Sequence, residues 1–426
     1  MRRLSIFIIS MLACLLVATP SLRAQKKGTA NQSTEERYGY FLESRKKTVR
    51  IPFDFYSNLI IVSVILNGSD SLRFILDTGV SSTIITDPSR VSLENMRFTR
   101  RVTLNGAGAD ESVTARVGIG NTLQMNLMRA NFQNVVVLDE DVLKLSEFVG
   151  APVHGIFGYE IFNNFTVTID FVNKELVLTS PENYTYKKRK GELYPISILD
   201  TKPFTDAVTM ISNGVEYPIR VLIDTGSGHA LLLDSHSDQK MLPAKMIDAQ
   251  LGRGLSGVIT GSIGRIDQVR LGDVSLTNVV TSFPDEEAYG AKLYNRSERN
   301  GNIGCELLRR FKVTLNYRDG YMVLKPIKRK LQESFEHDMS GMELRAIGAE
   351  YKSFVVNNIL ADSPAEEAGL HIGDELIFIN DRPADSMSIS DLYKLLQKGH
   401  GKKLNLLIKR NGGGIVFAQI KLRRMI

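Results

Sequence analysis

The chain has 426 residues, which is too long for one ordinary compact domain, since a domain takes roughly 150 residues, and two or three modules are expected. Its 43% hydrophobic and 23% charged residues are typical of a globular protein and exclude a disordered or collagen-like chain. The net charge of +6 comes from Lys and Arg scattered along the sequence, so nucleic-acid binding is not expected.

Residues 1–24 have the pattern of a bacterial signal peptide. After a basic start, the apolar run Leu4–Val17 is ended by Thr19–Pro20 ahead of a cleavage point. This run is too short to cross a bilayer comfortably, and no later run is longer, so no transmembrane segment is expected after cleavage. We expect an exported protein, periplasmic or secreted. A lipoprotein anchored at Cys14 is a disfavoured alternative, because the apolar run continues beyond that residue.

Four features recur in the same order about 146 residues apart, which indicates a duplicated region. The matched pairs are 67–68 with 213–214, 74–79 with 221–226, 134–136 with 278–280, and 154–171 with 300–317. β-branched runs that end in hairpin turns such as Asn67–Gly68 predict that each copy is mainly β.

Helical signals in the duplicated region are few. Short helices are predicted at Glu160–Asn164 and Glu306–Arg310, each after a glycine, and Ala244–Ala249 is a third candidate. We predict one lobe over 47–186 and a second over 187–328. The segment 25–46 precedes them, and the sequence leaves its flexibility and removal open.

Each copy places Asp-Thr-Gly where a predicted strand ends, at Asp77–Gly79 and at Asp224–Gly226. One such sequence is also an ordinary turn. Two copies related by a pseudo-two-fold axis bring the carboxylates together, however. Two adjacent carboxylates share a proton, so that one serves as general base and the other as acid for a water molecule held between them.

The neighbours of the two aspartates fit this arrangement. The hydroxyls of Thr78 and Thr225 can bond across the junction of the lobes. Gly79 and Gly226 allow backbone N–H groups to approach the carboxylates.

Over roughly residues 48–325 the chain resembles the aspartic peptidases of the pepsin and retropepsin-like group. The resemblance rests on both Asp-Thr-Gly loops and on the apolar-glycine elements Ile156–Gly158 and Asn302–Gly304. It implies a bilobal fold, a catalytic pair Asp77 and Asp224, and hydrolysis of extended polypeptides without a metal, cofactor or covalent intermediate. The hydroxyl that often follows the glycine in this family is present at Ser227, whereas the first copy has Val80.

Glycine-rich segments are the candidate flaps, because glycine gives a lid freedom to hinge. The candidates are Gly106 and Gly108 in the first copy and Gly257 and Gly261 in the second. Plain hairpin turns remain the alternative for each of them.

The six histidines show no metal-binding spacing, so no metal ligand is assigned. His229 is interpreted as an incidental neighbour of the second Asp-Thr-Gly loop. Cys305, which has no disulfide partner once the leader is removed, is interpreted as a buried structural thiol.

After a linker over 329–340, residues 341–426 resemble a small α+β PDZ domain of bacterial type. The resemblance rests on Ser363–Leu370, with its Ser-Pro helix start and closing glycine, and on the following Gly-Asp turn and strand within Ile372–Asn380. It implies a peptide ligand held beside a strand and a helix.

The strand Ser353–Leu360 and the helix Ser390–Lys398 are expected to form this groove. The candidate peptide-binding residues are Phe354, Val355, Leu392 and Leu396. The Gly-Leu-Gly-Phe loop that usually binds a carboxylate is not evident before Val355, and Ala346–Phe354 is the only place left for it.

Together these features favour a secreted aspartic endopeptidase, a hydrolase with a polypeptide substrate, whose PDZ-like domain binds substrate or a regulator. The alternative is a catalytically inactive peptide-binding scaffold in which the PDZ-like domain is the working module.

Overall fold

A computed structural model describes residues 37–43, 46–94, 96–108, 112–211, 214–234, 242–286 and 299–426. Strands dominate it, which confirms the predicted mainly β fold. The strands are β1 (Gly39–Leu42), β2 (Thr48–Tyr56), β3 (Leu59–Leu66), β4 (Ser71–Leu76), β5 (Ile84–Ile85), β6 (Arg97–Leu104), β7 (Val113–Met125), β8 (Met128–Leu138), β9 (Gly155–Phe157), β10 (Thr166–Asp170), β11 (Glu175–Thr179), β12 (Glu192–Pro195), β13 (Ser197–Leu199), β14 (Lys202–Met210), β15 (Glu216–Ile223), β16 (Leu231–Leu233), β17 (Met246–Gly254), β18 (Gly257–Leu271), β19 (Val274–Pro284), β20 (Gly301–Ile303), β21 (Phe311–Asn316), β22 (Tyr321–Pro326), β23 (Met342–Ile347), β24 (Ser353–Ile359), β25 (Glu375–Ile379), β26 (Arg382–Pro383), β27 (Lys403–Lys409) and β28 (Ile415–Lys421).

The helices are short. They are α1 (Leu145–Val149), α2 (Tyr159–Asn164), α3 (Cys305–Leu308), α4 (Lys328–Leu331), α5 (Pro364–Glu367) and α6 (Ile389–Leu396). The hairpin between β3 and β4 shows how sequence directs the fold. Asn67 and Gly68 both have positive φ, the conformation of a tight β-hairpin turn, and they join β3 to β4 as the sequence predicts.

The two copies meet in a sheet that contains strands of both. Strands β10 and β21 run antiparallel, with Thr168 opposite its equivalent Thr314, and their hydroxyl oxygens lie 2.8 Å apart. The pseudo-two-fold axis therefore passes between these two threonines. The boundary at 186/187 remains a prediction, because β12, which follows it, joins this shared sheet through β22.

The structure adds detail to the N-terminal segment and contradicts one predicted helix. Residues 39–42, within the N-terminal segment, form β1 and pair with β8, so this part belongs to the first sheet. The candidate helix Ala244–Ala249 is wrong, since β17 begins at Met246 and pairs with β18 over its length. Ladder hydrogen bonds from a long neighbouring strand override the weak local helix preference.

The C-terminal region forms its own sheet in the order β23, β24, β25, β27 and β28, over a separate apolar core. Its first helix starts as the sequence predicts: the Ser363 hydroxyl accepts a hydrogen bond from Glu366 N, and Pro364 occupies the first turn. The edge strand β23 lies next to α6, whose Tyr393 hydroxyl bonds with Leu344.

Candidate active site

The two aspartates occupy equivalent places at the ends of equivalent strands. Asp77 follows β4 and Asp224 follows β15, and each of these strands pairs in parallel with an apolar-glycine element, β9 or β20. The amides of Asp77 and Asp224 donate to Phe157 O and Ile303 O, each over 2.9 Å. The loops are thus fixed by the elements that the sequence repeat singled out.

The two loops approach each other closely, and at Gly226 no other residue fits. A Cβ atom placed on Gly226 would lie 2.1 Å from Cγ of Asp77, and one on Gly79 would lie 3.5 Å from Oδ1 of Asp224. The two carboxyl groups are near enough for the charge of Asp224 to act on Asp77. The structure therefore brings the predicted pair together.

Thr78 and Thr225 form a reciprocal set of hydrogen bonds across the junction. The amide of each residue donates to the other's hydroxyl oxygen, over 3.1 and 3.0 Å. The hydroxyls donate in turn to Ile223 O over 2.5 Å and to Leu76 O over 2.9 Å. Both threonines are fully buried, so these bonds hold the two strand ends in fixed register.

Burial first and the negative charge of Asp224 second raise the pKa of Asp77 to about 7. The Gly79 amide, which donates to Oδ1 over 2.6 Å, and the charge of Lys202 act in the opposite direction. The pair therefore retains one proton well above the pH at which an exposed aspartate loses it.

Asn302, which the sequence analysis did not select, contacts the second aspartate directly. Its Nδ2 donates to Oδ2 of Asp224 over 2.7 Å, while the Gly226 amide donates to Oδ1 over 3.0 Å. The sequence did hold a signal for Asn302, because this polar residue stands in an otherwise apolar element and replaces Ile156 of the first copy.

Ser227 does not contact the carboxylate as its position in the motif implies. Its hydroxyl lies 2.9 Å from each ring nitrogen of His229. Burial lowers the pKa of His229 to about 4, so this ring is neutral near neutral pH. His229 thus belongs to the polar surroundings of Asp224 and is more than an incidental neighbour.

Lys202 is a second residue that the sequence analysis missed. It begins β14, and its charge interacts with both aspartates, while burial lowers its pKa. The turn before it contacts the first lobe, since Thr201 Oγ1 bonds with Ser81 Oγ over 2.7 Å. At the equivalent turn of the first lobe, Asn58 Nδ2 donates to Gly228 O over 3.0 Å.

The glycine-rich tips of the two copies touch each other. The Ser256 amide donates to Ala107 O over 2.9 Å, and the Gly106 amide donates to Ser256 Oγ over 3.2 Å. Gly108 has a φ of +122°, and a Cβ there would lie 2.0 Å from Ser256 O. Gly257 follows this turn at the start of β18, whereas Gly261 lies within that strand.

Cys305 is buried, and its thiol donates to Thr225 O over 3.3 Å. Burial raises its pKa, which keeps the thiol protonated, as expected for a structural cysteine. In the described ranges no three His, Cys, Asp or Glu side chains cluster as metal ligands. None of the helices described there has the length and apolar composition needed to cross a membrane.

The predicted PDZ groove lies on the wrong strand. Phe354 and Val355 are on β24, which has β23 and β25 as neighbours and so offers no free edge. Phe354 is fully buried, as are Leu392 and Leu396, and these three side chains form core rather than groove surface. The sequence could not show which of two adjacent strands lies at the sheet edge.

The edge that a peptide would join is already occupied. The Tyr393 hydroxyl accepts a hydrogen bond from Leu344 N over 2.9 Å. Just before β23, the Asp338 carboxylate accepts hydrogen bonds from the amides of Ser340 and Gly341, over 3.2 and 2.5 Å. The chain's own groups therefore use the donors with which a terminal carboxylate or an added strand would bond.

The first lobe covers the same strand. Gly150, at the end of α1, is so close that a Cβ would lie 2.5 Å from Ile389 and 3.6 Å from Ala346. Arg345 pairs with Glu147 over 3.4 Å. A cavity of about 250 Å³ remains between α1, β17 and the loop before β23.

A comparison with curated proteins found no match. Among the solved structures that match is "Photosystem II D1 C-terminal processing protease", at 22% identity and a TM-score of 0.19, over 20% of this chain and 23% of that one. A likeness so small carries no conclusion here. The family model described as aspartyl protease matches residues 62–161 and 208–307, and the PDZ domain model matches residues 355–410. The two repeats therefore belong to the aspartyl protease family, and the C-terminal region is a PDZ domain.

Proposed function

We propose that the chain is an aspartic endopeptidase that hydrolyses peptide bonds in extended polypeptides. The single observation that carries this proposal is the contact between the Asp77 and Asp224 carboxyl groups, each of which lies against the other loop's glycine. A pair that shares one proton can take a proton from water with one carboxylate and give one to the carbonyl oxygen with the other.

The reaction balances within the pair. Water oxygen bonds to the peptide carbonyl carbon, one carboxylate accepts the water proton, and the other carboxyl group protonates the carbonyl oxygen. Cleavage of the carbon–nitrogen bond of the resulting diol then needs a proton on the nitrogen, which the newly protonated carboxyl supplies. As this bond breaks, a diol hydroxyl returns its proton to the other carboxylate, so the pair ends with one proton as it began. One water is consumed, and a carboxylic acid and an amine are released.

The flap tips give this function a gate. The tips touch through Ala107 and Ser256, and as flaps they would have to part to admit an extended chain. After closure the same tips exclude water other than the reacting molecule, which strengthens electrostatic interactions at the carboxylates.

The PDZ domain is proposed to bind substrate or a regulator. Its edge strand β23 is engaged by Tyr393 and by α1, so a ligand that adds a strand must first displace these contacts. Because β23 is already engaged, the PDZ domain gives no support to the alternative of an inactive peptide-binding scaffold. That alternative is favoured if the parent chain shows no cleavage in the experiment below.

The decisive experiment is cleavage of an unfolded protein by the purified chain and by two variants, Asp77→Asn and Asp224→Asn. Each single change should abolish nearly all cleavage, and the double change should add little, because the carboxylates act as one unit. Full activity in either single variant, or no cleavage by the parent chain across a range of pH, contradicts the proposal.

We also propose export of the chain, on the strength of the leader pattern in residues 1–24, which lie outside the described residues. Fractionation of a bacterial host, with mass determination of the amino terminus, tests it. A cytoplasmic chain with an intact leader contradicts export.

A further inference from the structure

The two aspartates stand in unequal surroundings although their loops are equivalent. In the described residues, Asp77 receives one backbone donor, from Gly79. Asp224 receives the equivalent backbone donor from Gly226 and, at its second oxygen, a side-chain donor, Nδ2 of Asn302. The position equivalent to Asn302 in the first copy is Ile156, which cannot donate.

The Asn302 amide presents its nitrogen to Asp224. An amide nitrogen only donates, so Oδ2 of Asp224 is the acceptor in this contact. Asn302 is only 2% exposed, and its bond with the carboxylate is charge-assisted and shielded from water. Such a bond favours the ionised form of the group that accepts it.

The neighbouring side chains also differ between the two copies. The neutral His229 ring lies 2.9 Å from the Ser227 hydroxyl and near the Asn302 side chain, whose buried oxygen has no hydrogen-bond partner among the described residues. In the first copy Val80, whose side chain has no polar group, takes the place of Ser227.

We propose that Asn302 is a positioning residue that makes the pair unequal, so that Asp224 carries the negative charge and accepts the water proton while Asp77 holds the proton for the carbonyl oxygen. This inference rests on the proposed peptidase function. The raised pKa of Asp77 agrees with it.

Other titratable groups also act on the pair. They are Lys202, His229, Cys305 and Tyr317. The charge of Lys202 acts on both aspartates and opposes the raised pKa of Asp77, whereas His229 is neutral and interacts with Asp224. Cys305 and Tyr317 are buried in their protonated forms. Among the described residues, Asn302 is the side chain of this set that donates a hydrogen bond to one carboxylate.

The test compares the pH dependence of kcat/KM for the parent chain and for Asn302→Leu, which keeps the side-chain shape but removes the donor. Without the donor the singly ionised pair is less stable, so the acid limb should move about one to two units to higher pH. The loss should fall mainly on kcat. Asn300→Leu is the matched control, because Asn300 lies just before the same strand and its side chain, among the described residues, accepts a hydrogen bond from Arg220 N and not from the aspartate loops.

A second variant covers the case in which Asn302→Leu does not fold. Ile156→Asn places a donor beside Asp77, which should ease the second ionisation and move the basic limb to lower pH. The role of Asn302 is overturned if the limbs of the pH profile of kcat/KM are unchanged in the variants that fold. It is also overturned if the limbs move by no more than they do in Asn300→Leu.

A readout without catalysis separates this inference from the proposed function. Carbon-13 carboxyl NMR of aspartate-labelled protein, assigned with Asp77→Asn and Asp224→Asn, reports which group is charged at each pH. The inference is supported if Asp224 ionises before Asp77 in the parent chain and this order is lost in Asn302→Leu. This outcome supports it even in a chain without peptidase activity. Charge on Asp77 first contradicts it, whether or not the chain cleaves peptides.

Discussion

Single residues hold the site together through buried hydrogen bonds. Their donors and acceptors are shielded from water and cannot bond with it instead. The hydroxyls of Thr78 and Thr225 each serve as donor and acceptor at once, which a similarly shaped valine cannot do. Gly226 is needed for a steric reason, since any side chain there would collide with Asp77.

We expect Thr78→Val to lower the free energy of unfolding by about 1–3 kcal/mol, because it leaves the buried Thr225 amide without its acceptor. Urea denaturation measures this. Thr99→Val removes an exposed hydroxyl and should change stability by less than about 0.5 kcal/mol. Equal effects of the two changes would show that the inter-lobe bonds contribute nothing.

The raised pKa of Asp77 also predicts a pH dependence of stability. Between its ordinary value of 3.8 and about 7, the carboxyl stays protonated in the folded chain but ionises in the unfolded one. The free energy of unfolding therefore falls as pH rises through this window, by about 1.4 kcal/mol per pH unit at most. Asp77→Asn removes this loss.

Denaturation at pH 4 and pH 8 checks the sign. The variant should gain stability relative to the parent chain as pH rises from 4 to 8. His229, whose lowered pKa makes stability fall as pH drops from 6.5 towards 4, is present in both proteins and largely cancels in the difference. A difference that is constant or reversed would refute the raised pKa.

At the level of elements, the proposed lid would be built from two hairpins of different lobes, whose tips touch through their backbones. Strands β6 and β7 carry one tip, and β17 and β18 carry the other. The sequence marks these segments by their glycines, but the contact between Ala107 and Ser256 exists only in the folded duplicate.

We expect Gly108→Ala to separate the tips, since its Cβ would lie 2.0 Å from Ser256 O. The kcat/KM for peptide substrates should fall by about tenfold or more, because the lid no longer closes. Gly120→Ala is the control: Gly120 also has positive φ, but nothing lies within 4 Å of its Cβ position. An equal loss in both variants would attribute the effect to backbone strain alone.

Across the whole molecule, the PDZ domain packs against both lobes instead of hanging from a linker. Ser390 Oγ accepts a hydrogen bond from Ser57 N, next to Asn58, which itself contacts the second Asp-Thr-Gly loop at Gly228. Arg265 of the second lobe donates to Phe335 O over 2.7 Å and to Ile426 O over 3.3 Å. A route of contacts thus connects the PDZ domain with the catalytic loops.

A double-mutant cycle on Glu147→Ala and Arg345→Ala tests this docking in solution. The pair is about one-third exposed, so we expect a coupling of about 0.5 kcal/mol in the free energy of unfolding. Glu147→Ala combined with Lys409→Ala, whose salt bridge is with Glu375, should be additive. Zero coupling in the first cycle would mean that the PDZ domain is not held against α1.

The sequence by itself determined the duplication, the mainly β architecture and the identity of the repeated Asp-Thr-Gly loops. These are local signals, since turn chemistry at Asn67–Gly68 and the cap at Ser363 act within a few residues, and a repeat is visible without coordinates. Tertiary structure decided which polar residues reach the carboxylates. Asn302 stands in a recognised apolar-glycine element, but the repeat does not show that its side chain bonds with Asp224. Lys202 lies in a strand that carries no motif of its own.

Only the tertiary structure also decided where strand edges lie. Within Ala244–Ala249 the chain forms a strand because it pairs with β18. Strand β24 lies inside its sheet because β23 pairs with its outer side. The position of a strand within a sheet depends on pairing between distant segments, which the periodicity of a single segment does not encode. The PDZ groove closed by Tyr393 and α1 is a consequence of such long-range packing.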